Sequence, residues 1–308
     1  MMFLGKSISL TVLGIKALFF QIMARRQSLP GKEFETFGKK LGFKLSMRGI
    51  ICPQLLFNPI SSVRYFEFAF VMKNLSDING KRLLDVSSPF LFGLYVCTKY
   101  QLNYQYINLN RVELDQIQAL EKHVNHGSRY LMALEDATHL PYHDHTFDDI
   151  ISISVIEHIN GWGDSSAVAE MWRTLKPGGS LILTFPIKRT HEEEFRDDNV
   201  YSLNVDQKNG KYFFQRYYDQ TTIDKRLLSM VPGHEIVNTE IFGEIREGFF
   251  EEYEKRWISR GLWETVKDPY YMSKYMKCYA SMKDIRGAAV LGIAIKKSSV
   301  IEDQKIIA

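Results

Sequence analysis

Four apolar, strand-like runs between Arg82 and Pro186 end in polar or small residues, and those ends are where this chain could do chemistry. They are RLLDVSSP (82–89), YINLN (106–110), ALEDATHLPYHDHTFDDIISISVIEHI (133–159) and WRTLKPGGSLILTFP (172–186). In an open parallel α/β sheet the backbone turns from strand to helix at the carboxyl ends of the strands, so residues there can meet a ligand. Asp85 stands at the first end, where a carboxylate accepts from an ammonium group beside a helix N-terminus. Asn108 stands at the second, with Asn110 as a competing assignment; a carboxamide offers both an acceptor and a donor, and Asn is also an ordinary turn residue. Asp136-Ala137 and Ser154 end the next two runs. His158 is the best general-base candidate because imidazole titrates near neutrality, with His191 in reserve. The competing reading has Glu157 and His158 cap or pin the next helix. His139, His143 and His145 have no carboxylate or cysteine partner recurring at a ligand spacing, so no metal site is expected.

The elements that must position these residues follow from periodicity. A helical pattern over 62–75 (Val63, Phe66, Phe70, Val71) leads through the Asn79-Gly80 turn to a first strand at 82–86. A helix over 111–124 follows the second strand, and the third strand is short, at 130–134. The fourth, at 149–155, is β-branched and almost continuously apolar, as a central parallel strand should be. A helix over 164–175 ends at Lys176-Pro177-Gly178-Gly179, where Pro cannot continue it and Gly accepts positive φ. A fifth strand at 180–185 comes next. After a helix over 221–230, runs at 235–241 and 288–296 read as an edge hairpin separated by a long insertion.

In order and spacing these motifs resemble a class I S-adenosylmethionine-dependent methyltransferase, of the methyltransferase-11-like branch. The resemblance implies a Rossmann-like, seven-stranded sheet with helices on both faces. It also implies S-adenosylmethionine as cofactor: Asp85 and Ser87 at its methionine end, Asn108 at the ribose, Asp136-Ala137 at the adenine, and Ser154 near the sulfur. Leu140-Pro141-Tyr142 and Phe147-Asp148 are similar to the family's LPF...SFD pattern, and Ile156-Glu157-His158-Ile159 to its LEH(V/I) sequence. The departure lies after Asp85, where the family's D-x-G-x-G-x-G is replaced by Asp85-Val86-Ser87-Ser88-Pro89-Phe90-Leu91-Phe92-Gly93. Glycine permits unusual φ and close backbone approach in such turns, so Ser87 and Pro89 require a differently shaped loop. The alternative function is therefore a noncatalytic binding or scaffold protein on the same fold. A nicotinamide-dependent Rossmann enzyme is disfavoured because G-x-G-x-x-G does not follow the first strand.

Composition narrows the class. A chain of 308 residues, 45% hydrophobic and 13% aromatic, buries a large core, which excludes a disordered or fibrous class. Cys52, Cys97 and Cys278 form no CxxC pair, and a reducing cytosol fits. Residues 1–50 carry nine Lys/Arg against Glu33 and Glu35, a balance of +7 that leaves −4 for the rest, so nucleic acid is not an expected partner. Residues 1–62 read as an N-terminal amphipathic, helical extension and 63–300 as the methyltransferase domain. In the first 26 residues Leu4, Ile8, Ile15, Leu18, Phe19 and Ile22 recur at helical spacing. That helix either packs on the enzyme's own core or a second subunit, or lies peripherally on the inner face of a membrane with Arg25 and Arg26 near anionic headgroups. A secretory signal is disfavoured, since no small-x-small cleavage site follows cleanly. Insertions at about 186–220 and 245–286, rich in aromatic residues, are where an acceptor should be recognised. The expected acceptor is a small molecule or glycan, methylated at oxygen.

Overall fold

The computed structural model describes residues 2–24, 29–200 and 205–299, with side chains from residue 10 onward. Its first five strands, β1 (Arg82–Val86), β2 (Asn103–Asn108), β3 (Arg129–Leu134), β4 (Phe147–Ile153) and β5 (Leu175–Ile187), pair in parallel in the order β5-β4-β1-β2-β3. The 186–220 insertion then builds a separate antiparallel sheet from β6 (Glu192–Arg196), β7 (Gln207–Lys208) and β8 (Lys211–Tyr217). Returning to the main sheet, β9 (His234–Glu244), β10 (Met276–Tyr279) and β11 (Ala289–Lys297) complete the order β10-β9-β11-β5 by antiparallel pairing. The main sheet thus has eight strands rather than the expected seven. The additional one, β10, comes from the second insertion and covers only Ile241 to Glu244 of β9.

Alternation along each strand sends side chains to two cores. Leu83, Ile151, Ile153 and Ile182 face one layer, and Leu84, Val86, Ile150, Leu181 and Leu183 face the other. Four helices precede the sheet: α1 (Met2–Ala24), α2 (Lys32–Ser46), α3 (Pro53–Phe57) and α4 (Arg64–Asn74). Between strands come α5 (Phe90–Lys99), α6 (Arg111–Glu121), α7 (Gly163–Thr174) and α8 (Gln220–Arg226). The second insertion supplies α9 (Phe249–Arg260), α10 (Leu262–Thr265) and α11 (Asp268–Tyr275). The N-terminal helices join the first core: Phe34 of α2 packs on Phe68, Phe92 and Tyr95 at centroid distances of 4.9, 5.6 and 4.4 Å.

In α1, Leu13, Ala17 and Ala24 are buried, while Ile15, Leu18, Phe19 and Ile22, the face marked by periodicity, are exposed. Lys16 donates to Trp263 O, and Phe20 meets Tyr270 at 5.7 Å, so the helix docks on α10 and α11 by its other side. Leu4 and Ile8 lie outside the described side chains, and Arg25 and Arg26 outside the described residues. No described helix is long and apolar enough to cross a membrane.

The fifth strand starts earlier than its sequence indicates. It takes up at Leu175 directly after α7, pairing Leu175 with Phe147, and Lys176 to Gly179 form an irregularity within it. Gly178 has φ +78°, and a Cβ on Gly179 would lie 2.4 Å from Asp148 O, so both glycines are required where they stand. A second close approach sets α4 on the sheet. A Cβ on Gly292 of β11 would sit 2.5 Å from the Phe70 ring of α4. Gly292→Ala is expected to cost about 1–3 kcal/mol through overpacking, measured by urea denaturation; an unchanged midpoint would show that α4 shifts freely over β11.

Candidate functional site

Asp85 ends β1 but does not face solvent. It is 0% exposed; Oδ1 accepts from Ser88 N at 2.9 Å, and Oδ2 accepts from the Tyr104 hydroxyl. Burial pushes its carboxyl up to about 6. Tyr104 stacks on Tyr130 at 4.9 Å and occupies space that a side chain at position 93 would fill, since a Cβ on Gly93 would lie 2.6 Å from its hydroxyl. Gly93 therefore serves the tyrosine that seals Asp85.

The turn after β1 is stitched to its neighbours by serine. Ser87 takes φ +55°, the region glycine usually supplies, and its hydroxyl donates to Ile107 O at 2.9 Å. Ser88 Oγ accepts from Ile153 N at 3.1 Å and Ser152 Oγ donates to Val86 O at 3.3 Å, joining β1 to β4 at the point where strand order reverses. Asn108 is buried, donating from Nδ2 to the Tyr106 hydroxyl at 3.1 Å and accepting from Asn110 N at 2.8 Å. Its rival Asn110 caps α6, accepting from Val112 N at 3.0 Å. Asp136 is exposed beyond β3, its Oδ1 accepting from Thr138 N and Oγ1 at 2.8 Å each, while Oδ2 takes no partner among the described residues. Ala137 beside it is buried, and Leu109 and Leu134 are exposed at the ends of β2 and β3.

Beyond β4 the chain enters a cavity of about 170 Å³. Ser154, Glu157 and His158 form its floor; Ser61 to Arg64 approach from the N-terminal side, Phe214 and Tyr217 from β8, and Tyr253, Glu254 and Trp257 from α9. Ser154 has φ +48°, and its hydroxyl donates to Glu67 of α4. Glu67 is fully buried, also accepting from Thr184 Oγ1 at 2.9 Å and from Arg64. Glu157 is 1% exposed, with Oε1 3.8 Å from His158 Nε2 and Oε2 without a hydrogen-bond partner among the described residues. Burial, reinforced by the negative charge of Glu67, pushes the Glu157 carboxyl up to about 8. His158 Nδ1 lies 2.7 Å from Phe214 O; a carbonyl only accepts, so Nδ1 carries the proton and Nε2 is the basic nitrogen of the neutral ring. Burial pushes this imidazole down to about 4.

The structure thus gathers Ser154 and His158 at one cavity, sets Asp85, Ser87 and Asn108 along the ends of β1 and β2, and leaves Asp136-Ala137 at the rim of β3. Asp85, Asn108 and Asp136 do not line the cavity that holds His158. His191, donating through Nδ1 to Tyr217 O at 2.9 Å, lies outside it as well. Among the described residues, no group of three or more His, Cys, Asp or Glu side chains is arranged around a metal position. Sequence reading missed Glu67, Arg64 and Ser62. The available signal was a charged pair, Arg64 and Glu67, inside an otherwise aromatic helical pattern.

The parallel core with an antiparallel far edge has the Rossmann-like fold of class I S-adenosylmethionine-dependent methyltransferases. Residues 92–183 match the family model described as a methyltransferase domain. The chain is 29% identical over 150 residues to an uncharacterized protein of Methanocaldococcus jannaschii, a match spanning 48% of this chain and 60% of that relative's length. Among solved structures it resembles the [4+2]-cyclase SpnF (TM-score 0.51, 19% identity, 76% of this chain and 81% of that one), a likeness of fold alone. It is also similar to an S-adenosylmethionine-dependent methyltransferase from Methanosarcina mazei (TM-score 0.48, 14% identity, 74% and 97% covered).

The family's cofactor is S-adenosylmethionine. Its adenine end fits the residues present, because the uncommitted Oδ2 of Asp136 is exposed beside the apolar Leu109 and Leu134, whereas Asn108 at the ribose position is buried with both side-chain polar atoms engaged. At the amino-acid end Asp85 does not fit, since both its oxygens are engaged and none of it is exposed.

The raised Glu157 carboxyl has a consequence for stability. The folded state keeps a proton that the unfolded chain releases above the ordinary value of 4.5, so this contribution is full below that value and is lost as pH rises through about 8. Asp268, pushed up to about 8 by burial, acts with the same sign. Glu157→Gln cannot ionise and is predicted to remove a few kcal/mol (~1.4 per pH unit) of the decline between about pH 5 and pH 8. Denaturant titrations across that range check it; a slope equal to that of the unaltered protein would mean Glu157 is not held neutral.

Proposed function

We propose that this chain is an S-adenosylmethionine-dependent methyltransferase whose acceptor is a small molecule or glycan, methylated at oxygen. The observation that carries the reading is the cavity at the carboxyl end of β4, where a partly buried His158 keeps Nε2 as its basic nitrogen between aromatic walls. Bound cofactor would supply a methyl group already activated as a sulfonium. The chain's own work is to align an acceptor hydroxyl, exclude water and receive the hydroxyl proton on His158. Alignment contributes on the order of 7–11 kcal/mol, and a base a factor of roughly 10²–10⁴. Asp136 and Ala137 would hold the adenine, Asn108 would reach the ribose by exchanging its bonds to Tyr106 and Asn110, and the turns at Ser87 and Ser154 would flank the rest of the cofactor.

The second reading, a binding or scaffold protein without turnover, draws on the sealed carboxylate of Asp85 and the Ser88 stitch across β1 and β4. We further propose that the exposed apolar face of α1 contacts an anionic membrane surface, given the positive balance of residues 1–50, and that the enzyme works in the cytoplasm. A homo-oligomer using the same face is the competing arrangement.

Metabolite and glycan extracts incubated with isotopically methyl-labelled S-adenosylmethionine should yield a labelled product by mass spectrometry. His158→Ala should lower turnover by roughly 10²–10⁴ while leaving cofactor affinity unchanged. Because His158 is held down to about 4, the acid limb of the rate profile should fall there rather than near 6.5. By calorimetry, Asp136→Ala should weaken cofactor binding about tenfold, for the loss of a charge-assisted bond of roughly 1.5 kcal/mol. No binding heat for the unaltered chain would favour the scaffold. Deleting residues 1–24 should abolish co-sedimentation with vesicles containing phosphatidylserine; unchanged partitioning removes the membrane contact.

A further inference from the structure

Charged groups of both signs stand in and around the cavity beside His158, but they are spent on one another. Arg64 pairs with buried Glu67, and Arg196 pairs with both Glu254 and, at 2.7 Å, Glu194. Glu157 and Ser62 both line the cavity, and among the described residues the buried Glu157 Oε2 and Ser62 Oγ take no hydrogen-bond partner. Leaving such an atom unsatisfied costs about 1–3 kcal/mol, so two in one small cavity mark hydrogen-bonding capacity directed at a ligand. Ser62 is firmly held: its φ is +52°, and its N–H donates to Asp268 Oδ2 at 2.8 Å. Asp268 in turn accepts from the Tyr253 hydroxyl at 2.8 Å, tying Ser62 to the aromatic wall on α9.

We propose that Glu157 Oε2 and Ser62 Oγ form the polar end of a site for a neutral, hydroxyl-bearing ring, with Phe214, Tyr253 and Trp257 as its apolar walls. Each hydroxyl of such a ring donates and accepts, which matches a serine and a protonated carboxyl, each of which also does both. The ring's apolar faces lie against aromatic side chains. A cationic group finds no free carboxylate there, since Glu67 and Glu254 are paired with Arg64 and Arg196 and burial pushes Glu157 up to about 8. An anionic group would force Glu157, already pushed up to about 8, to face like charge. Outward, the cavity shares Tyr217, Phe250 and Glu254 with a cleft of about 690 Å³ that is lined by Glu192, Glu247 and Glu251 as well as Lys188 and Lys255. That cleft gives a larger molecule carrying the ring a way out to solvent.

As an acceptor site this rests on the transferase reading, so the test separates the two. Saturation-transfer NMR on the full chain would use three pyranose probes: methyl α-glucoside, glucosamine and glucose 6-phosphate. The neutral glycoside should bind saturably and at least about tenfold more tightly than the ammonium and phosphate rings. Ser62→Gly, which suits the positive φ and removes the hydroxyl, should weaken the glycoside about tenfold, the equivalent of one lost bond near 1.4 kcal/mol. Glu157→Gln, still neutral and hydrogen-bonding, should stay within about threefold, whereas Glu157→Leu should lose about tenfold. Thermal melts establish that each variant is folded, and either position alone suffices if one is not. The inference is overturned by preference for either charged ring, by no saturable binding of the glycoside, or by unchanged affinity in Ser62→Gly and Glu157→Leu. Calorimetry with S-adenosylmethionine on the same samples is read independently: cofactor binding without ring discrimination removes only this site, and ring discrimination without cofactor binding removes only the transferase.

Discussion

The carboxylate of Glu67 is the interaction on which the cavity depends. It belongs to α4, ahead of the sheet in sequence, yet it is buried where β4 and β5 end, held by Ser154, Thr184 and Arg64. A buried ion pair is weak evidence of net stability, but removing one partner strands the other at a cost of about 3–5 kcal/mol. The pair therefore acts mainly as a register pin. It fixes where Ser61 to Arg64 sit over Glu157 and His158, and so joins the N-terminal segment to the strand ends in one chemical unit.

A second clamp works from the opposite side. Asp164 at the start of α7 is fully buried and accepts from Arg226 of α8 and the Tyr218 hydroxyl, while Arg216 of β8 pairs with it at 3.0 Å. Arg216 also donates to Ile159 O at 2.8 Å and Gly161 O at 3.0 Å, gripping the backbone just past His158. The inserted sheet is thus fastened to the turn that carries the imidazole, and Phe214 meets His158 both by its carbonyl and by an edge-on ring at 4.9 Å. His158 is pinned to β8 rather than to the next helix, and it lines the cavity as well.

The parallel core was legible because its strands carry their burial in their composition: Asp149 to Ile153 reads as a central strand and is one. The eighth strand was not, since Met276 to Tyr279 is four residues long, lacks alternation and lies among helix-forming aromatics. Asp85 could be located at a strand end from its motif, but its direction could not. That depends on a tyrosine from the next strand and on the missing Cβ of Gly93. Glu67 illustrates the general limit. A lone acid on the aromatic face of a helix is visible, while the hydroxyl it needs lies 87 residues later. Trp263 and Tyr270, counted among acceptor-side aromatics from their density, instead meet α1.

The short reach of β10 leaves a trace at the margin of the sheet. Among the described residues, no strand pairs with β9 on its outer side from His234 to Glu240, and Ile236 and Val237 there are exposed. An unpaired strand with apolar side chains is a template for pairing with another chain. Glu235 and the Lys73–Glu240 pair put charged side chains along the same margin, a common way of keeping such an edge from pairing. Whatever those charges contribute at this border weakens as added salt screens them.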